Sequence, residues 1–358
     1  MIAAERKARV IAFYLPQYYP TPENDAWWGK GFTEWRNVTA AKPLFPGHRQ
    51  PHLPGELGFY DLRVPETRLQ QAELAGEYGI EGFCYWHYWF GNGRRILDRP
   101  FKEVVESGEP DFPFCLCWCN ISWGGKPYGD LYNRLLMEQK YPGKQDIDNH
   151  FYALLPAFQD ARYIKVHGKN LFTIYNPTEL PQARSFMDRW NELAVHEGLE
   201  GFHFIAYAHE DFDYRKDGYD AITFPSPSYF LKREGGKTRT RLLHAAQRRL
   251  KLPKTYRYLE LVAYADYNEE LNALHHYPNI FPNWDHTPRS KNMGTVCTGS
   301  TPTQFSRMIG KAVNVVIPRP LEERIIFIKA WNEWAEGNYL EPDQVHGRAY
   351  LEAIAENI

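Results

Sequence analysis

The clearest candidates for chemistry are two glutamates near the carboxyl end of the chain, Glu333 and Glu336. They directly follow the apolar run Ile325–Trp331, which is typical of a buried strand, and carboxylates seldom end such a strand without a reason. A three-residue spacing across a strand-to-loop turn can bring both groups to one substrate. Transfer of a glycosyl group to water commonly uses such a pair, one carboxyl as proton donor and the other as base or nucleophile. The alternative is a solvated pair beside a turn, with Trp331 and Trp334 in the core.

Aromatic and polar residues follow the ends of several predicted strands, a pattern that packing does not require. The run Phe83–Phe90 is almost entirely aromatic. Indole and phenol rings carry an apolar face, which suits the C–H faces of sugars, and a polar atom, which suits their hydroxyl groups. An aromatic-rich core is the alternative, and a lone histidine such as His87 is more often structural than catalytic. With Glu333 and Glu336 as catalytic residues, we predict a substrate-binding site that comprises Glu34, Trp35, Trp86, His87, Tyr88, Trp89, Asn120, Trp123, Asn176, Trp284, Asn332 and Trp334.

Short apolar runs rich in β-branched and aromatic residues alternate with helical patterns along the whole chain. The predicted strands are Arg9–Tyr14, Ile80–Tyr88, Pro113–Cys119, Leu171–Tyr175, Gly201–Tyr207, Ala221–Phe224, Asn279–Asn283 and Ile325–Trp331. The predicted helices are Pro65–Tyr78, Lys144–Arg162, Pro181–Glu197, Thr240–Lys251, Leu259–Leu274, Thr303–Ile317 and Gly347–Glu356. This alternation predicts an α/β fold, a single closed (β/α)8 TIM barrel. A doubly wound open sheet is the alternative, but the sequence lacks the Gly-x-Gly-x-x-Gly phosphate loop that it would need.

Two connections are longer than a barrel needs. About fifty residues, Leu15–Val64, separate the first strand from the first helix, and an insertion separates the sixth strand from the seventh. Long loops that follow barrel strands lie at the carboxyl-terminal face, where active sites collect. We therefore expect such loops to build the substrate site, within a single catalytic domain that covers residues 1–358.

The charge distribution is uneven, although the net charge of the 358 residues is only −2. The stretch Lys232–Arg257 holds ten basic residues and one acidic residue, Glu234. The ordinary interpretation is a solvated helix face, and the alternative is peripheral contact with an anionic glycan or a membrane surface. Aromatic and basic residues are interleaved too sparsely there for a nucleic-acid motif. We predict no nucleic acid, no obligate protein partner and no cofactor.

The five cysteines favour a reducing compartment over a metal centre. Three of them lie in the run Cys115–Cys119, where strand alternation would point all three thiols to one face, and this spacing fits zinc ligation poorly. The first residues lack the apolar core of a signal peptide, and no apolar run of about 18 residues could span a membrane. We predict a cytoplasmic protein without a metal site.

Five segments that span nearly the whole chain together resemble the WbsX-type family. They are Phe13–Gln17, Trp27–Trp35, Pro51–Gly55, Tyr78–Phe90 and Trp331–Gly337. That family is often labelled glycosyltransferase or lipopolysaccharide-biosynthesis protein, and it is similar to glycoside hydrolase family 99, the endo-acting α-mannosidases on a (β/α)8 barrel. The resemblance implies an oligo- or polysaccharide substrate with α-linked mannose- or rhamnose-type sugars.

The resemblance also implies roles for the two glutamates. Glu333 would take the proton of the sugar's own 2-hydroxyl, whose oxygen then attacks the anomeric carbon and forms a 1,2-anhydro sugar. Glu336 would protonate the leaving group and later activate water. One position departs from the family, because Ile121 stands where a carboxylate is expected in the run Trp118–Trp123. A retaining, endo-acting glycosidase is the leading hypothesis. A glycosyltransferase of O-antigen or lipopolysaccharide synthesis and a non-catalytic glycan-binding protein are the alternatives.

Overall fold

The computed structural model describes residues 6–125, 134–266 and 275–358, and their parallel strands form a barrel. In chain order the strands are Arg9–Tyr14, Ile80–His87, Phe114–Trp118, Lys169–Ile174, Phe202–Tyr207, Ala221–Thr223, His276–Tyr277 continued by Asn279–Ile280, and Ile325–Ile328. Each strand pairs in parallel with the next, and the eighth pairs with the first. The predicted (β/α)8 TIM barrel is therefore confirmed.

The seventh strand closes the barrel although it is interrupted. His276–Tyr277 pairs with the sixth strand, and Asn279–Ile280 pairs with the eighth. Pro278 lies between the two halves and has no backbone N–H, but its carbonyl oxygen accepts from the backbone N–H of Phe327 at 2.8 Å. The predicted strand Asn279–Asn283 begins too late, because a proline lowers the strand signal of the residues around it.

Helices cover the outside of the barrel. The longer ones are Pro65–Glu77, Arg99–Ser107, Lys144–Phe158, Ala183–His196, Ser228–Gly235, Thr238–Arg249, Pro302–Val316 and Ala349–Ala355. The prediction of one helix at Leu259–Leu274 is wrong, because the helix ends at Val262 and a 3₁₀ turn follows at Ala263–Asp266. Short 3₁₀ and α turns have similar apolar spacings, so the sequence does not separate them. Residues 267–274 of that prediction lie outside the described residues.

The two long connections reach the carboxyl-terminal ends of the strands. The connection after the first strand contains the helices Pro22–Trp28 and Trp35–Ala40. The insertion after the sixth strand contains Lys254–Arg257, a short strand that pairs in parallel with Thr295–Thr298. Because Thr295–Thr298 belongs to the connection that follows the seventh strand, this pairing ties the insertion to that connection.

Aromatic side chains fill much of the barrel interior. Phe13 of the first strand stacks on Trp86 of the second and Phe327 of the eighth, with ring centroids 4.7 and 5.3 Å apart. The five cysteines are buried free thiols, and burial raises the pKa of Cys119 to about 12. The cysteines are thus small apolar side chains of the core. Among the helices of the described ranges, none is both long and apolar enough to cross a membrane.

Candidate functional site

Glu333 and Glu336 lie together at the carboxyl end of the last strand. The chain forms a short antiparallel hairpin here, in which Asn332–Glu333 pairs with Asn338–Tyr339. The tight turn of this hairpin contains Glu336 and brings it back toward Glu333. The two glutamates are only 3% and 8% exposed. The Nζ atom of Lys329 lies 3.4 Å from Oε2 of each, so these two oxygens are separated by at most twice that distance. The predicted convergence of the two carboxyl groups is present in the fold.

Two cations contact this carboxyl pair, the buried Lys329 and the partly buried Arg289. The ammonium of Lys329 lies over the rings of Trp86 and Trp284, 5.6 and 5.5 Å from their centroids. Arg289, from the short helix Thr287–Ser290, donates from Nη1 to Oε1 of Glu336. Its Nε donates to Oε2 of Glu34 at 3.1 Å. Among the residues that the structure describes, the site therefore holds the carboxyl groups of Glu333, Glu336 and Glu34 against the cations of Lys329 and Arg289.

The surroundings give the two glutamates opposite protonation tendencies. Burial and the negative charge of Glu336 raise the pKa of Glu333 to about 8. Burial also acts to raise the pKa of Glu336, but the charges of Lys329 and Arg289 outweigh it and lower that pKa below its ordinary value. Near neutral pH the pair thus carries one proton, held on Glu333, while Glu336 is ionised. Such a coupled pair can supply one acid and one base at the same pH.

An aromatic wall connects the carboxyl pair to a hollow at the ends of the fourth, fifth and sixth strands. Nε1 of Trp86 donates to Oε1 of Glu333 at 2.9 Å. The Trp86 ring meets the edge of Tyr175 at 5.4 Å, and Tyr175 stacks on Tyr207 at 5.0 Å. Tyr175, Tyr207 and Asn176 line a hollow of about 310 Å³. The hollow is large enough for part of an oligosaccharide.

Two further predicted residues lie near this wall. Tyr88 meets the half-buried ring of Trp123 edge-on at 5.1 Å. Burial, then Cys119, then the charge of Glu333 raise the pKa of Tyr88. Trp284 lies beside the pair, with its ring facing the ammonium of Lys329. Together with Trp86, Asn176 and Glu34, these are the predicted binding residues that the fold brings to the carboxyl pair, its cations or the hollow beside it.

The connection after the seventh strand is braced against the last strand. The backbone N–H of Asp285 donates to the carbonyl oxygen of Glu336 at 2.6 Å. The buried carboxylate of Asp285 accepts from Nε2 of Gln50 at 2.7 Å and from the hydroxyl of Thr287 at 2.6 Å, and it pairs with Nε2 of His48 at 2.7 Å. Asp285 therefore positions the segment that carries Arg289 relative to Glu336.

His87 and Trp89 point away from the carboxyl pair. Nε2 of His87 lies 2.8 Å from Nε2 of His150, and the Trp89 indole donates to Asp146 at 3.0 Å. Both partners belong to the helix Lys144–Phe158 outside the barrel. Burial lowers the pKa of His87 to about 3, so its ring is neutral. Strand alternation separates these two residues from Trp86 and Tyr88, and we leave them out of the proposed site.

Several other predicted residues serve the scaffold. The indole of Trp334 donates to Glu341, and that of Trp35 donates to the carbonyl oxygen of Tyr60 at 2.8 Å. Asn120 accepts from the backbone N–H of Asn176 at 2.7 Å and donates to its carbonyl oxygen at 2.8 Å. The Asn120 contacts join the ends of two neighbouring strands, and each indole makes its hydrogen bond within its own connection. These side chains therefore support the segments that build the site.

Asn332 joins the last strand to the first, and we expect the Asn332→Ala variant to be destabilised by about 1–3 kcal/mol. Its side chain accepts from the backbone N–H of Leu15 at 2.7 Å and donates to the carbonyl oxygen of Leu15 at 3.0 Å. Removal leaves both buried groups unpaired. Urea unfolding measures the change, with the exposed Asn149→Ala as the control, expected to stay within about 0.5 kcal/mol of the unaltered protein. Equal stability of the two variants would contradict this role.

Lys329, Arg289 and the two hollow-lining tyrosines, Tyr175 and Tyr207, were not among the predicted site residues. A lysine inside the apolar run Ile325–Trp331 is an available signal, because charged residues are rarely buried without a partner. Arg289 carries no comparable signal, since it lies in a polar segment. Within the described ranges, no group of three or more His, Cys, Asp or Glu side chains could hold a metal ion.

Solved structures share the barrel fold of this chain. A structure named glycoside hydrolase-like protein aligns with a TM-score of 0.62 at 14% identity, covering 100% of this chain and 95% of that one. The GH99 endo-α-mannosidase from Bacteroides thetaiotaomicron, in complex with bis-tris-propane, aligns with a TM-score of 0.58 at 15% identity, covering 98% and 96%. At these identities the likeness concerns the fold alone.

Sequence comparisons identify the family. Two WxcX proteins, from strains B100 and ATCC 33913 of Xanthomonas campestris pv. campestris, are 36% and 37% identical over 355 and 353 residues. Each alignment covers 97% of this chain and 49% of the relative, so the chain spans about half the length of these relatives. The family model described as Glycosyltransferase WbsX matches residues 10–354. The barrel with its buried glutamate pair therefore belongs to the WbsX family.

Proposed function

We propose that this protein is a glycoside hydrolase that cleaves α-linked, manno-configured glycans. The observation that carries the proposal is the buried pair Glu333 and Glu336, which shares one proton beside Lys329. A carboxyl pair with split pKa values is what acid–base catalysis at a glycosidic bond requires. The likeness of fold to an endo-α-mannosidase supports the choice of substrate class.

The proposed reaction proceeds with retention through a 1,2-anhydro sugar. One carboxylate takes the proton of the 2-hydroxyl. The oxygen of that hydroxyl then bonds to the anomeric carbon as the bond to the leaving oxygen breaks. The other carboxyl group gives its proton to that leaving oxygen. Water then attacks the anomeric carbon and opens the three-membered ring. It gives one proton to the carboxylate that served as the acid, and the carboxyl group that served as the base returns its proton to the 2-oxygen, which restores the 2-hydroxyl. The 2-hydroxyl must lie anti to the leaving group, as in α-mannosides and α-rhamnosides.

The charges of the free protein favour Glu333 as the proton donor. Glu336 contacts both Lys329 and Arg289, whereas Glu333 contacts Lys329 and the indole N–H of Trp86. This distribution is the reverse of the roles that the family resemblance implies. We propose that Glu333 protonates the leaving group and that Glu336 is the base.

The proposed substrate site extends from the carboxyl pair along the aromatic wall. Trp86, Tyr88, Trp123, Trp284 and Asn176 retain their predicted binding role in this proposal, because they surround the pair and the hollow beside it. Glu34 acts through Arg289 and is a positioning residue. We further propose endo action and a single catalytic domain over residues 1–358.

The test of the proposed function is incubation with α-linked mannan, rhamnan and O-antigen polysaccharides, followed by mass spectrometry of the soluble products. Shorter oligosaccharides with a free reducing end are the expected result. Release of single sugars alone would contradict endo action. Intact polysaccharide that nevertheless stays bound to the protein would indicate a glycan-binding protein. This alternative is considered because Ile121 stands where the family has a carboxylate.

A glycosyltransferase is the second candidate, because the matching family is described as Glycosyltransferase WbsX. A transferase binds an activated sugar donor, whereas the hydrolase does not. Calorimetric titration with nucleotide sugars such as GDP-mannose and dTDP-rhamnose separates the two candidates. We expect no heat of binding; saturable binding of either donor would favour the transferase.

Turnover is expected to fall as the pH rises through about 8. In that range Glu333 loses the proton that the pair holds, and a doubly ionised pair contains no acid. The sign follows from the raised pKa, since the active, singly protonated pair exists below it. The measurement is kcat/KM of the purified protein from pH 5 to 10, with circular dichroism at each pH as the control for unfolding. A flat profile across pH 8 would contradict the shared proton.

A further inference from the structure

The helix Thr238–Arg249 carries a surface that the proposed chemistry does not use. Thr240 and Gln247, seven residues apart, are buried and mark the side of the helix that faces the protein. Leu242 and Arg249, also seven residues apart, project from the opposite side, because each helical residue adds roughly 100°. Leu242 is 68% exposed. An apolar side chain therefore stands at the outermost line of a helix rich in arginine.

A basic groove of about 660 Å³ runs beside this helix. Its basic lining consists of Arg241, His244, Arg248, Lys251 and Lys254. Among the described residues, no salt bridge joins Arg241, Arg248, Lys251 or Lys254 to a carboxylate, whereas Arg239 and Arg257 both contact Glu260. The groove thus presents several uncompensated positive charges and is complementary to clustered phosphate groups.

Exposed apolar side chains lie around the same helix: Met293 lines the groove, and Leu243 and Leu250 project from the flank of the helix opposite the groove. Leu250 is 68% exposed, Leu243 46% and Met293 55%. An anionic polysaccharide needs the cations but has no use for leucine side chains. The boundary between headgroups and acyl chains of a membrane accepts both, since arginine and lysine reach phosphates while leucine enters the apolar layer. The combination favours a membrane surface.

We propose that this surface, the helix Thr238–Arg249 with its groove, docks the protein onto an anionic lipid leaflet. The opposite wall of the groove is Asn292–Gly294, which begins three residues after Arg289. Docking would therefore hold the carboxyl pair close to the membrane. The proposal stands on the surface residues alone and does not depend on the reaction that the pair catalyses.

Co-sedimentation with lipid vesicles tests the docking surface. The full chain is expected to bind vesicles of phosphatidylcholine mixed with phosphatidylglycerol, not phosphatidylcholine alone, and binding should weaken as salt is added. The double variant Arg241→Glu/Arg248→Glu should bind at least about 25-fold more weakly, because each lost cation weakens binding roughly fivefold. Leu242→Ser/Leu250→Ser should weaken binding by about tenfold or more.

The matched control is the double variant Lys165→Glu/Lys169→Glu, which changes the net charge by the same amount as the arginine double variant. Both lysines are exposed, at the amino-terminal end of the fourth strand. We expect this variant to bind anionic vesicles like the unaltered protein, and thermal melting checks that all variants fold. The proposal would be overturned if the control variant lost as much vesicle binding as the arginine variant, or if the arginine variant lost none. Binding to soluble polygalacturonate that depends on the arginines, without vesicle binding, would overturn it in favour of a glycan surface.

Discussion

Replacing either glutamate of the pair by glutamine is expected to lower kcat/KM by about 10² to 10⁴-fold, the usual contribution of one acid–base group. Glutamine keeps the size and polarity of Glu333 or Glu336 but can neither donate the proton at the leaving oxygen nor remove one from the 2-hydroxyl. The measurement is the rate of release of reducing ends from the polysaccharide that the unaltered protein cleaves. Unchanged turnover in either variant would end the proposed mechanism.

An activated leaving group separates the roles of the two glutamates. A dinitrophenyl or fluoride leaving group departs without protonation, so a variant that lacks only the acid should recover most of its activity on such an α-mannoside. A variant that lacks the base should not recover. The contacts of Glu336 with Lys329 and Arg289 lead us to expect recovery in Glu333→Gln. Recovery in Glu336→Gln instead would support the roles implied by the family resemblance.

Glu341 offers a matched control for these substitutions. It is also buried and lies five residues after Glu336, but it accepts from Tyr60, Gln71 and Trp334. Glu341→Gln should therefore change kcat/KM little where the protein is folded, while it can lower the melting temperature. Loss of activity in a folded Glu341→Gln variant would show that buried carboxyl groups of this segment act without direct contact with substrate.

The Arg289→Met variant is expected to be destabilised by about 3–5 kcal/mol at neutral pH. Methionine fills similar space but leaves Glu34 without its cation and Glu336 with Lys329 alone. Unpaired buried carboxylates are costly because burial disfavours their charged form. Urea unfolding at pH 7 measures the difference. Arg289→Lys keeps one charge but cannot reach both carboxylates in the same geometry, so an intermediate loss is expected.

The pH dependence of this loss distinguishes a charge effect from a packing effect. The lowered pKa of Glu336 contributes stability that is present above its ordinary value of 4.5 and is lost as the pH falls through the folded value. In Arg289→Met that contribution is reduced. The difference in the free energy of unfolding between the variant and the unaltered protein should therefore become smaller below pH 4.5. The exposed pair Arg63 and Asp61 gives the control, because Arg63→Met should cost no more than about 0.5 kcal/mol. A difference that stays constant with pH would indicate lost packing.

The barrel could be predicted from the sequence because strand and helix periods are local properties. Continuous apolar runs such as Ile325–Ile328 indicate strands that are covered on both faces. The position of Glu333 and Glu336 also follows, since residues that end a parallel barrel strand must reach its carboxyl-terminal rim. Because successive residues of a strand point to opposite faces, the sequence also places Trp86 and His87 on different faces of the second strand. What alternation leaves open is which of the two faces points into the barrel.

The electrostatic state of the pair was decided only by the tertiary structure. Arg289 is 47 residues from Glu336 along the chain and 255 from Glu34, yet it contacts both. Lys329 is close in sequence, but only the closed barrel places its ammonium over two indole rings and within reach of both carboxyl groups. A pKa depends on burial and on charges within a few ångströms, and distance along the chain does not report distance in space. The sequence therefore determined which acids meet at the rim, and the fold decided which of them holds the proton.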